Sequence, residues 1–271
     1  MAFTIRHFFK GIRGNKKTDA IILTVYFVAV FTFALLGKPG AVLAHILLFV
    51  LPGLYLVLRY WRLNYHAFLF SLVAGFLVGF PVQGIAELNQ MWDYPHSFFD
   101  FFQYAGLRML PVAWFVVWIG LSISVYSVFF DEHAHPVPRH HRFWKNHYKF
   151  LLFSAAVLAA TAFALSIYPT LFVMNYPYVV FGAVFFFFPT ALIFFLHPHL
   201  LRDVLKASIF LSLCMLVYEI VGLHVGWWTY PGEYLAVVNI LGEGVPIEEL
   251  IFWIGIGSLW AITAYEEIEE A

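Results

Sequence analysis

The amino-acid sequence predicts an all-α, polytopic integral membrane protein, and three observations carry that expectation. Of 271 residues, 62% are hydrophobic and 11% charged, against roughly 45–50% apolar and about 25% charged in soluble domains. The apolar residues gather into eight stretches, 20–37, 41–60, 66–88, 106–130, 150–168, 176–196, 206–226 and 246–265. Each approaches the roughly 20 residues that a helix needs to cross about 30 Å of hydrocarbon. Runs such as 179–196 lack the two-residue alternation of a barrel strand. Helix is then the structure that satisfies the backbone in lipid.

Taken in order, residues 1–19 form a basic segment with Arg6, Lys10, Arg13, Lys16 and Lys17. No small-residue cleavage site follows before further spans, so the stretch from 20 is expected to be an uncleaved first transmembrane helix. Arg59 and Arg62 follow the second stretch, Arg139, Arg142, Lys145 and Lys149 the fourth, and Arg202 and Lys206 the sixth, with only Lys38 and Arg108 at the other side. That asymmetry predicts a multi-pass protein of the inner or plasma membrane with both termini cytoplasmic. Residues 131–149 are then a His-rich cytoplasmic linker, and 266–271 an acidic tail carrying Glu266, Glu267, Glu269 and Glu270. The net charge of −1 gives no sign of a nucleic-acid partner. A single cysteine, Cys214, excludes a disulfide, a thiolate zinc site or an iron–sulfur cluster built from this chain alone.

The two halves resemble each other. Glu87, Trp92-Asp93-Tyr94-Pro95, Pro111 and Trp118 in the first are echoed by Glu219, Trp228-Thr229-Tyr230-Pro231, Pro246 and Trp253 in the second. The pattern predicts two four-helix repeats, 20–130 and 150–265, parallel and related by an axis along the membrane normal.

Acidic residues inside spans mark candidate functional sites, because lipid disfavours charge. Glu219 lies within the seventh stretch and Glu87 near the outer end of the third, one helical turn from Gln83. The segment 244–253 brings Pro246, expected at the first helical position, before Glu248 and Glu249. Glu249, Trp253, Ile256 and Trp260 then share a helical stripe, an acid above an aromatic face. Buried acids among Trp and Tyr, without a nucleophile, metal or nucleotide motif, suit protonation of an alkene and shielding of the carbocation that results. Isoprenoid cyclisation has those requirements, and a membrane protein suits a substrate dissolved in lipid.

The run from Tyr218-Glu219 through Trp227-Trp228-Thr229-Tyr230-Pro231 to Pro246-Ile247-Glu248-Glu249-Leu250-Ile251-Phe252-Trp253 resembles the membrane lycopene cyclase domain, a family of paired subunits or fused tandem domains. The resemblance covers about fifty residues. It implies acid–base closure of linear carotenoid ends to rings, without net redox change and without cofactor or metal. Carried over, Glu248 and Glu249 match the family's acidic pair, Glu219 its intramembrane acid, and Trp228 and Tyr230 its aromatic element. Trp227 and Trp253, with Glu87, Trp92 and Tyr94 from the first half, join the expected substrate-binding set. The first half departs from the pattern: Pro111-Val112-Ala113-Trp114 stands where a second acidic pair belongs. Four spans per repeat also exceed the family's three or so.

Two other function classes fit some residues. His133, His135, His140, His141 and His147, with His197 and His199, gather on the predicted cytoplasmic side, as in membrane di-iron hydroxylases and desaturases. Pro136 and Pro138 oppose a helix that carries the first of them on one face, which favours a polar linker near headgroups. His224 reads as an interfacial residue. A non-enzymatic isoprenoid or lipid carrier is the other alternative, against which stand short outer loops and spans without clear midplane breaks. The expected partners are a lipid-dissolved carotenoid or other isoprenoid and membrane lipids, with self-association left open.

Overall fold

The computed structural model describes residues 15–94, 103–104, 107–131 and 140–270, with side chains described except at 61–65, 103–110, 140–147 and 269–270. Seven helices in this set are long and apolar enough to cross a membrane. They are α1 (Lys16–Gly37), α2 (Ala41–Arg59), α3 (Trp61–Leu88), α4 (109–130), α5 (His140–Ile167), α6 (Pro177–Leu196) and α7 (Pro198–Val225). The last helix, α8 (247–270), has glutamates at both ends and is not among the seven. Two short antiparallel hairpins complete the order. β1 (Gln103–Tyr104) pairs with β2 (Leu107–Arg108) before α4, and β3 (Val237–Ile240) with β4 (Glu243–Pro246) before α8.

Local chemistry sets the boundaries. Asn15 caps α1, its Oδ1 accepting from the backbone N–H groups of Lys17 at 3.1 Å and Thr18 at 3.4 Å. In α2 and α6 a widened, π-type turn, Ile46–Val50 and Gly182–Phe187 respectively, precedes Pro52 and Pro189. A proline inside a helix lacks its N–H and crowds the carbonyl four residues earlier. The widened turns contain those carbonyls. α3 and α4 pack so closely that a Cβ on Gly75 would strike the Val116 backbone. Phe115 and Ile119 of α4 are buried in a core that reaches α8 through Trp118 and Ile262, and Phe70 of α3 packs on Phe150 of α5 and Tyr265 of α8. α1 and α5 lie at the periphery and expose long apolar side chains such as Val25, Leu36, Phe153 and Phe163.

Three expected boundaries shift. α5 starts at His140, so much of the expected linker 131–149 is helix; no proline follows Pro138 to prevent it. α7 starts at Pro198 rather than 206, first as a 3-10 turn. Pro246 ends strand β4 opposite Val237, and helical geometry begins at Ile247, whose N–H bonds the Ala236 carbonyl at 2.9 Å. The end of an edge strand needs no donor from proline.

One buried acid ties helices together. Asp19, fully buried near the start of α1, accepts from Tyr55 at 2.6 Å, from Arg59 Nε at 2.8 Å and from Tyr60. The pairing lets a carboxylate lie against apolar surface and joins α1 to the end of α2.

Candidate functional site

Glu219, Gly222 and Gly226 are spaced three and four residues apart and share one face of α7. Gly226 takes the left-handed conformation, φ 78°, that closes the helix. The Trp227 N–H then bonds Gly222 O at 2.8 Å and the Gly226 N–H bonds Leu223 O at 3.0 Å, a Schellman motif. The chain reverses and lays the Trp228 indole over Gly222, where a Cβ would overlap the ring. From there Trp228 Nε1–H donates to Glu219 Oε1 at 2.9 Å, and the Tyr230 hydroxyl donates to the same oxygen at 2.6 Å. Glu219 is only 3% exposed. Burial pushes the hydroxyls of Tyr230 and Tyr234 up from their ordinary range, so both remain donors.

At the start of α8 the two adjacent glutamates part. Glu248 Oε1 accepts the Leu235 N–H at 2.5 Å and anchors the loop leading to β3, while its Oε2 has no hydrogen-bond partner among the described residues. Glu249, also 3% exposed, faces the same cavity as Glu219 and has no hydrogen bond or ion pair among the described residues. The two cavity acids therefore differ: one carboxyl receives two donors and the other none.

The opposite wall is built in the same way. α3 ends in a second Schellman motif, with Gln90 at φ 52° in the place of Gly226, Met91 N–H bonding Ala86 O at 2.9 Å and Gln90 N–H bonding Glu87 O at 3.4 Å. Two residues beyond the turn, Trp92 Nε1–H donates to Gln83 Oε1 at 3.2 Å. Gln83, not Glu87, thus holds the place that Glu219 holds in the other wall. Glu87 lies one turn on and accepts from Gln83 Nε2 at 2.7 Å. Asp93 and Thr229, second residues of the two Trp-x-Tyr-Pro elements, pair with each other through backbone bonds of 2.9 and 2.8 Å. Trp118 and Trp253, each seven residues after its proline, stack at 4.8 Å and 26°.

Trp92, Tyr94, Trp228 and Tyr230 line the cavity with Glu219 and Glu249, and Trp114, Phe115, Tyr178, Tyr218 and Trp253 add to its aromatic face. Trp114 stands three residues after Pro111, as Glu249 stands three after Pro246, and its indole stacks on Trp253 at 4.9 Å. The open volume is about 50 Å³. Among the described residues the cavity lining offers two carboxyls, several π faces and no lysine or arginine.

Some expected site residues fall elsewhere. Trp227 turns away and donates to Pro39 O at 2.7 Å, fixing the α1–α2 connection. Trp260 does not line the cavity; it packs on Phe186 at 5.4 Å, as Trp253 does. His224 meets Glu243 of the hairpin at 3.1 Å, and His197 meets Glu267 at 2.9 Å. His133 and His135 lie outside the described residues, as do the side chains of His140, His141 and His147. Among the described residues no group of three His, Cys, Asp or Glu is placed to hold a metal. Sequence reasoning missed Gln83, Tyr218 and Trp114 as parts of the two walls, and His45 behind Tyr218. A Gly-x-x-x-Gly spacing beside Glu219 was the one visible sign of the folded-back indole.

No protein-family model matches the chain, and neither a curated protein nor a solved structure matches it.

Proposed function

We propose that this chain is a carotenoid or related isoprenoid cyclase of the lycopene β-cyclase type. The observation that supports it best is the pair of buried carboxyls with unequal hydrogen bonding inside one aromatic cavity. Hydrogen-bond donors stabilise a carboxylate, and a carboxyl deprived of donors in apolar surroundings is better accommodated with its proton. Glu249 is then the acid. Its proton adds to the terminal double bond of the linear end, the neighbouring alkene attacks the resulting cation and closes the ring, and the charge moves to a ring carbon. Glu219, held by Trp228 and Tyr230, takes a proton from the adjacent carbon, and the C–H pair becomes the new double bond. One proton is gained and one lost, so no redox partner enters. The Trp114, Trp253 and Trp228 faces stabilise positive charge without offering a nucleophile that captures it. Glu248, bound to the Leu235 N–H, positions the hairpin loop rather than reacting.

In the same reading α8 crosses as the eighth helix, both termini are cytoplasmic, and the cavity opens in the outer half of an inner or plasma membrane. The repeat reduces to α2–α3–α4 and α6–α7–α8, supported by the matched π turns, Schellman ends and tryptophan pairs. The peripheral α1 and α5 are the additional helix of each half.

The test is expression in cells that accumulate lycopene, with pigments separated by chromatography and mass. A product of unchanged mass, shifted retention and cyclic-end spectrum is expected. Unchanged lycopene beside folded protein, or a product that has gained oxygen or water, overturns the reading.

A further inference from the structure

Behind the cavity lies a polar pair that the scheme above does not use. His45, in the first turn of α2, is 6% exposed and packs among Phe49, Trp114 and Trp228, with ring centroids at 6.1, 6.5 and 6.5 Å. Its Nδ1 contacts the Ala41 carbonyl, which only accepts, so that nitrogen carries the proton. In the neutral ring Nε2 is then an acceptor, and the Tyr218 hydroxyl meets it at 2.8 Å. Tyr218 itself lines the cavity and lies nearly parallel to Trp114, at 6.2 Å and 15°. The hydroxyl proton is thereby turned onto His45.

The fold does not demand this pair. Counted from the matched prolines, Pro52 and Pro189, the position corresponding to His45 is Gly182; counted from Gln90 and Gly226, the position corresponding to Tyr218 is Val82. Neither glycine nor valine carries a side-chain hydrogen-bonding group, and the Gly182 position faces the Phe252 ring instead. The His45–Tyr218 bond occurs only beside the wall that carries Glu219.

We propose that His45 is a positioning residue for the cation formed in the cavity, acting through Tyr218. A phenol that donates a hydrogen bond gains electron density on its oxygen and ring, because hydrogen-bonded groups polarise one another. A more electron-rich ring attracts positive charge more strongly across its face. With its proton committed to His45, the hydroxyl is also not available to donate to either cavity carboxyl. This inference rests on the cyclisation reading and assigns a role to two residues outside its acid–base pair.

The test compares wild type, His45→Phe, His45→Gln, Tyr218→Phe and the His45→Phe/Tyr218→Phe double variant in detergent with lycopene as substrate. His45→Phe is expected to lower kcat about tenfold with KM within about twofold, the size of a cation–π contribution in a dry site. His45→Gln, which keeps an acceptor, recovers most of the loss, and the double variant is no slower than Tyr218→Phe alone. Ultraviolet resonance Raman difference spectra of wild type against Tyr218→Phe are expected to show a donating tyrosine, a readout that survives if His45→Phe does not fold. Wild-type turnover with kcat unchanged in His45→Phe, multiplying losses in the double variant, or a Tyr218 signal without donation each overturns the inference alone. Absence of cyclic product from wild type overturns the function as well, and the Raman signal tells the two failures apart.

Discussion

The two walls of the cavity, 83–118 and 219–253, solve one structural problem with different residues. Each ends a helix in a Schellman motif, folds a tryptophan back and gives its indole N–H an oxygen one or two turns below. In the first wall that oxygen is the amide of Gln83, and in the second the carboxyl of Glu219. Three residues after Pro111 the first wall presents Trp114, and three residues after Pro246 the second presents Glu249. An amide and an indole suffice for the architecture. Burying the Glu219 and Glu249 carboxyls without a cation beside them is costly, which makes them candidates for function rather than for architecture.

That contrast is sharpest at Glu249. Glu249→Gln is expected to lower turnover about 10²–10⁴-fold, the range for loss of a general acid, with melting temperature unchanged or raised. Pigment analysis beside a thermal scan checks both halves, and near-normal turnover removes Glu249 from the reaction. Glu219→Gln follows, at about 10²-fold. Gln83 demonstrates that an amide oxygen accepts a tryptophan N–H at this place, so the variant should fold normally; a large drop in melting temperature would make Glu219 a structural acceptor instead. Gly222→Ala probes the geometry rather than the acid: the added methyl displaces the Trp228 indole and should destabilise by about 1–3 kcal/mol while slowing turnover. Asp19→Asn supplies the opposite case, a buried acid with Arg59, Tyr55 and Tyr60 around it. Arg59 is partly exposed, so the expected loss is about 1–3 kcal/mol in unfolding with kcat unchanged. The smallest effect belongs to Glu248→Gln, which still offers an oxygen to Leu235 N–H and should change turnover less than about threefold. A loss as large as that of Glu249→Gln would move Glu248 into the chemistry.

Much of this was legible before any coordinates. Hydropathy marks seven of the eight expected spans, because a lipid-crossing segment must be apolar along its length, while α8 is not among the helices apolar enough to cross; the paired Trp-x-Tyr-Pro elements pointed to two segments that do meet, through Asp93 and Thr229. The register between the halves was harder. Matching acid to acid set Glu87 against Glu219, whereas the helix ends set Gln83 there; the turn geometry of Gln90 hides the match, since glutamine is an uncommon residue at positive φ. Pro246 looked like a helix start because strand and helix meet at that residue. The distinction between Glu248 and Glu249 depends on which face of α8 meets the loop at Leu235, and the π-helical turn from Glu249 onward makes an α-helical wheel misleading. His45 carries no motif, and its partner is 173 residues away.

Proton-initiated ring closure is the central proposal, and deuterium tests it most directly. Purified protein is incubated with lycopene in heavy-water buffer, where the carboxyl protons exchange, and the product is weighed against the same reaction in ordinary water. The expected result is a cyclic product of unchanged mass in ordinary water and one deuterium per ring in heavy water, with both lost in Glu249→Gln. A cyclic product without deuterium, or incorporation that persists in Glu249→Gln, contradicts the claim.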